Sequence, residues 1–167
     1  YVGKERPTRA GARVDQGHRA WAASGVGGTN RMDINKMSVK EYHKGGRVRL
    51  SPHFTLAEFD CHCHRKTCTV TYVDSVLIEY LEEKRSMLGK PLIILSGFRC
   101  TAHNKSVGGK PGSQHLQGKA ADLKLKRYDI LGYADFFKDA EGLGIYKSQH
   151  FLHVDVRPLG RARWVEK

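Results

Sequence analysis

Apolar positions are spaced unevenly along this chain, and the spacing changes from one segment to the next. Val73, Val76, Leu77, Tyr80, Leu81 and Leu88 recur at helical intervals, with Glu and Lys opposite. Gly89 follows as a stop, so the pattern predicts a helix over 73–88. KPLIILSGF (90–98) is a short continuous run of β-branched and Leu residues and reads as a buried strand that leaves Arg99 at an element edge. TAHNKSVGGKPGSQH (101–115) is dense in Gly, Ser, Asn and Pro and reads as a loop, after which KAADLKLK (119–126) alternates like a half-exposed strand. YDILGYADFFKDAEG (128–142) is a second amphipathic segment, interrupted by Gly132. LGIY (143–146) and FLHVDVR (151–157) read as two short strands joined as a hairpin through KSQH. The order helix, strand, loop, strand, helix, strand, strand predicts an α+β domain, a small antiparallel sheet with flanking helices.

Upstream the texture differs. Residues 1–37 are rich in Gly, Arg and Ala, nearly free of Leu, Ile and Phe, and without a sustained period, which predicts a basic arm or linker ahead of a domain over 38–167. Trp21 is its one large apolar anchor. The change of texture is clearest at SPHFTLAEF (51–59), where a Ser-Pro turn signal precedes Phe54, Leu56 and Phe59. With 167 residues, one core is the expectation. No apolar run approaches the roughly 20 residues of a membrane span. The first residues show no charged start followed by an apolar stretch, so no export signal is visible and export stays undecided. A net charge of +12 draws the protein towards polyanions, whether nucleic acid, anionic lipid or the anionic polymers of a bacterial wall.

Chemistry enters with SQHLQGKAAD (113–122) and FLHVD (151–155). On a strand, His153 and Asp155 are two apart and share a face. If the strands carrying Asp122 and His153 are neighbours, His115, Asp122 and His153 converge as two imidazoles and a carboxylate, a common catalytic zinc set with its fourth position left for water. Gly118 would turn the backbone from loop to strand, and Ala120 and Ala121 would leave room near the metal.

These motifs resemble those of the VanX-type zinc D-alanyl-D-alanine dipeptidases and carboxypeptidases, whose fold is shared by the Hedgehog signalling domain. The pattern S-x-H-x-x-G-x-A-x-D falls on Ser113, His115, Gly118, Ala120 and Asp122, the later H-x-D on His153 and Asp155, and S-G-[YF]-R on SGFR (96–99). HNKSVGG followed by SQH is similar to the bacterial and phage peptidoglycan-peptidase branch, and the similarity runs from about Ser38 to Trp164. The resemblance implies zinc on His115, Asp122 and His153, with Asp155 an outer acceptor that fixes an imidazole tautomer and belongs to the catalytic set. Arg99, with Ser113, would contact substrate, its guanidinium holding a terminal carboxylate or a developing oxyanion. The alternative for Arg99 is a structural salt bridge. The general base of several relatives lies three residues before the last zinc histidine, which is His150 here. On an ideal strand His150 and His153 face oppositely, so the assignment needs a bend or bulge.

Cys61, Cys63, Cys68 and Cys100 form a second cluster, which reads as a structural zinc site in which His62, His64 and His103 could substitute, as one or more disulfides, or as free thiols. Either cross-link would pin the loop before the first helix beside Arg99. A zinc-finger nucleic-acid binder would account for the cysteines and the charge but not for SQHLQGKAAD or FLHVD. The expectation is therefore a monomeric zinc peptidase acting on stem peptides of peptidoglycan next to D-amino acids, as a carboxypeptidase or as an endolysin-type endopeptidase. It would work in the wall, in the periplasm, as a secreted enzyme or delivered by a phage. A non-catalytic zinc-bearing binding module of the same fold is the alternative.

Overall fold

The computed structural model describes residues 38–125 and 130–166. The arm expected over 1–37, Trp21 and the start of the second amphipathic segment lie outside the described residues. The chain enters through a two-stranded antiparallel ribbon, β1 (Val39–His43) with β2 (Val70–Asp74), in which Val39 opposes Asp74. Neither strand is expected from the sequence, and β1 precedes the texture change at Ser51. β2 takes Val73 out of the expected helix, because Asp74 is the N-cap: its carboxylate accepts the Val76 N–H at 2.8 Å. Helix α1 then runs Ser75–Leu88 and stops at Gly89 in a left-handed conformation (φ 62°).

Five strands form the main sheet in the order β3-β4-β6-β5-β7: β3 (Ile94–Ser96), β4 (Ala120–Lys124), β5 (Gly142–Tyr146), β6 (Phe151–Asp155) and β7 (Ala162–Val165). All pairings are antiparallel except β5 with β7, which is parallel and was not expected. The expected loop 101–115 contains a short helix, α2 (Thr101–Ser106), and a single 3-10 turn, Gln114–Gln117. The second amphipathic segment yields α3 (Ile130–Phe136), which runs through Gly132.

Alternation on the strands gives the sheet two faces. Leu123, Leu152, Val154 and Leu143 are buried with Phe54, Leu56, Phe59, Leu77, Leu81 and Phe137 in the core. Asp122, His153 and Gly144 are direct partners across β4, β6 and β5, so they lie side by side on the other face. Ala120 shares that face, opposite Asp155, but Ala121 is fully buried in the core cluster. Of the two alanines expected to clear space for a metal, only Ala120 is on the site side.

Candidate metal centre and active site

The loop before β4 places His115 beside the strand residues. Ser113 caps the 3-10 turn, its hydroxyl accepting the His115 N–H at 3.4 Å. The turn ends at Gly118 in a left-handed conformation (φ 68°), and a Cβ there would lie 2.2 Å from the Tyr72 carbonyl oxygen on β2. The glycine therefore serves both the reversal and a close approach to the ribbon. This geometry spans the seven residues from His115 to Asp122.

His115, Asp122 and His153 are all buried, and their facing atoms form a nearly equilateral triangle. His115 Nε2 lies 3.1 Å from Asp122 Oδ1 and 3.0 Å from His153 Nδ1, which lies 3.0 Å from Asp122 Oδ1. Bonds of about 2.0–2.1 Å to a tetrahedral zinc put neighbouring ligand atoms roughly 3.3 Å apart, so the triangle is close to one face of such a site. The outer ring nitrogens set the tautomers. His115 Nδ1 is 2.6 Å from the Gly97 carbonyl, which can only accept, so that nitrogen carries the proton. His153 Nε2 faces Asp155 Oδ2 at 3.1 Å. Two imidazole lone pairs and a carboxylate oxygen then point at one another, an arrangement that is repulsive without a shared cation. The donor set thus fits a metal ion, with both histidines oriented by outer acceptors.

Ionisation follows the same contacts. Burial alone would raise the Asp122 pKa, but its close contacts with the His115 and His153 rings outweigh it and hold the carboxyl below its usual range. Burial pushes His115 down. Burial acts the same way on His153, yet the carboxylates of Asp122 and Asp155 overcome it and the net shift is upward. Asp155 is likewise held low against burial by Arg157 and His153. Arg157 grips it through Nε to Oδ1 at 2.8 Å and Nη2 to Oδ2 at 2.5 Å, and its backbone N–H adds a bond at 3.1 Å.

Arg99 holds Asp122 through the oxygen turned away from the triangle. Its Nη2 donates to Asp122 Oδ2, and its Nε donates to Ser96 Oγ at 2.9 Å. The salt bridge expected as the alternative is therefore present, and its partner is the proposed metal ligand. His150 closes the turn before β6 with φ 55°, in the left-handed region. The bend required between His150 and His153 is thus at His150 itself, outside the regular strand. Its carbonyl accepts the Leu125 N–H at 3.1 Å, while its ring makes no hydrogen bond among the described residues.

Several site residues escape a reading of the sequence. Gly142 and Gly144 on β5 lie beneath Asp155 and Trp164: a Cβ on Gly142 would sit 2.0 Å from Asp155 Oδ2, and one on Gly144 2.3 Å from the Trp164 ring. Trp164 packs against His153 at 5.1 Å between centroids and donates from Nε1 to the Tyr146 hydroxyl at 3.1 Å. Tyr146 in turn stacks on Phe151 at 4.2 Å. An aromatic wall thus runs along the sheet beside the triangle. The sequence signal for it is the period-two pairing of G-L-G on β5 with H-V-D on β6. The four cysteines are also brought together, all with free thiols.

A buried His, Asp, His triangle on one face of a small α+β sheet could hold a metal ion, and its donors are of the kind found in catalytic zinc sites. A family model described as Peptidase M15 matches residues 52–155. The chain belongs to this family, that of the zinc D-Ala-D-Ala carboxypeptidases and VanX-type peptidases. Among curated proteins none matches it. The matched span ends at Asp155 and so contains the triangle, Arg99, His150 and all four cysteines, but not Arg157 or Trp164.

Proposed function

We propose that this protein is a zinc peptidase that cuts bacterial cell-wall stem peptides at a bond next to a D-amino acid. The observation that carries the proposal is the triangle of His115 Nε2, Asp122 Oδ1 and His153 Nδ1, with each imidazole tautomer fixed from behind. Zinc bound there supplies Lewis acidity and a water whose pKa is lowered towards about 7. The chain's own groups do the rest. Asp155, held by Arg157, keeps the His153 Nε2 proton and so presents the Nδ1 lone pair. Arg99 fixes Asp122 through Oδ2, leaving Oδ1 for the metal. Nη1 of Arg99 makes no hydrogen bond among the described residues, so it is the donor assigned to a substrate carboxylate or a developing oxyanion. His150 is the base assigned to take a proton from the attacking water and return it to the leaving amine.

Peptidoglycan as substrate is supported by the family and by the SGFR and SQHLQGKAAD motifs. The net charge of +12 favours residence on the anionic wall, where we place the protein's action as a monomer. The test is release of new amino groups from purified peptidoglycan, and of D-alanine from a peptide ending in D-Ala-D-Ala. Zinc-loaded protein is compared with the His153→Ala variant. Cleavage by the wild type and a loss of at least about 100-fold in the variant are expected. Undiminished cleavage by His153→Ala would remove the metal-site assignment. A zinc-loaded protein that binds peptidoglycan but cuts nothing would be a binding module instead.

A further inference from the structure

We infer that Cys61, Cys63, Cys68 and Cys100 bind a second, structural zinc ion, separate from the His/Asp/His centre. The four sulfurs all lie within 4.8 Å of one another, and Cys63 Sγ is 3.6 Å from Cys100 Sγ. Zinc–sulfur bonds of about 2.3 Å in a tetrahedron place sulfurs about 3.8 Å apart, so the chain holds its thiols at the spacing of a closed four-sulfur site. The C-x-C and x4-C intervals of the loop are not the usual C-x2-C knuckle; the fold completes the set by bringing Cys100 from the far side of β3.

The surroundings are those of a thiolate cluster. The Cys100 N–H donates to Cys61 Sγ at 3.3 Å and the His103 N–H to Cys100 Sγ at 3.4 Å. Four thiolates around a divalent zinc carry a net double negative charge, and a cation stands next to them: Lys44 Nζ is 3.9 Å from Cys63 Sγ and donates to the Cys63 carbonyl at 2.6 Å. Four cysteines would fill all four positions of a tetrahedral zinc and leave none open for substrate, which marks the site as structural.

Its place in the fold gives it a task. Phe98 N–H bonds to the Phe59 carbonyl at 2.8 Å, so the segment holding Cys61 and Cys63 runs beside residues 97–100. Those residues supply the Gly97 carbonyl that orients His115, and Arg99, which holds Asp122. Zinc on the cysteines would lock this segment in register, making Cys100 a positioning residue for the neighbouring guanidinium.

The experiment is a metal and thiol balance on the full chain, purified under reducing conditions without added chelator. Elemental analysis should give about two zinc equivalents per chain for the wild type and about one for His153→Ala. Titrating folded His153→Ala with a mercurial thiol reagent should release that remaining zinc as the fourth thiol reacts, detected with a chromogenic chelator. Cobalt substitution should give a thiolate-to-metal charge-transfer band in both proteins, absent from Cys63→Ser/Cys100→Ser. Because the serine variant can fail to fold, the mercurial release from His153→Ala stands alone as a test. Zinc-free His153→Ala with four freely titrating thiols would overturn the inference. So would a non-reduced mass lower by two hydrogens per cystine, or iron in place of zinc. None of these outcomes depends on peptidase activity, so they leave the catalytic assignment to be judged separately.

Discussion

Arg99 joins two functions in one side chain. It pairs with Asp122 on the oxygen turned away from the triangle and is itself steadied by Ser96, with only 16% of its side chain exposed. Removing it leaves Oδ2 of a buried carboxylate without its partner. Arg99→Ala should therefore lower kcat/KM by about 100-fold or more and also weaken zinc binding, read by chelator competition. Arg99→Lys should recover little, because an ammonium cannot hold Ser96 and Asp122 in one planar fork. At His150 the backbone and the ring must be tested apart. His150→Asn tolerates the left-handed backbone, so it should retain zinc and stability while losing about 10²–10⁴-fold in kcat if the imidazole is the base. For His153, burial lowers the pKa but the carboxylates of Asp122 and Asp155 outweigh it and raise it above the ordinary 6.5, so a proton competes with metal from a higher pH than for a free imidazole. Zinc affinity should fall by up to about tenfold per pH unit once the pH drops below that raised value.

At the scale of elements, the site depends on strands β5 and β6 carrying complementary small and polar residues. Gly144 leaves room for Trp164, and Gly144→Ala would drive a methyl into the indole that lines His153. A loss of about 1–3 kcal/mol in denaturant unfolding, with a shift in tryptophan emission, is expected. Helices α1 and α3 are tied by Lys84, whose buried ammonium donates to the Phe136 carbonyl at 3.2 Å and pairs with Asp139 at 2.7 Å. Burial works against ionisation of Asp139, but the bond from Lys84 prevails and lowers its pKa below the ordinary 3.8. The unfolded chain then binds the proton more readily, so this contribution is intact above about pH 4 and lost as pH falls through the lowered value. Asp139→Asn should cost about 1–2 kcal/mol at neutral pH, reduced by the exposure of the carboxylate, and should flatten that acid dependence in urea titrations.

These elements also explain what could be read in advance. H-V-D placed His153 and Asp155 on one face, and Asp122 could be matched to them because KAADLKLK alternates strongly. The same alternation assigns Ala121 to the core, against the expectation that both alanines border the metal. β1 was illegible because V-K-E-Y-H has little apolar content and finds its partner some thirty residues later, at β2. β7 was hidden by Arg161 and Arg163, although Trp164 is the residue that covers His153. Helix α2 begins in a sequence of poor helix formers because the Cys100 sulfur caps it by accepting the His103 N–H. No local pattern announces a cap supplied by a thiol.

For the molecule as a whole, one sheet divides labour between its faces: a core of aliphatic and phenyl side chains on one, and polar chemistry enclosed by aromatic residues on the other. The family match spans 52–155, and the strands outside it add β1, which pairs with β2, and the tryptophan beside His153. The net charge of +12 predicts that binding to purified anionic walls weakens as salt rises past the point where charges are screened beyond about 10 Å. Pull-down across a salt series measures it. The claim on which the account rests is that the triangle of His115, Asp122 and His153 is the catalytic metal site of a wall peptidase. Mass spectrometry of the products from defined muropeptides, incubated with zinc-loaded wild type and with His153→Ala, tests it most directly. The account predicts a single scission next to a D-amino acid by the wild type and none by the variant. Equal scission by both proteins, or intact muropeptides with the zinc-loaded wild type, would contradict it.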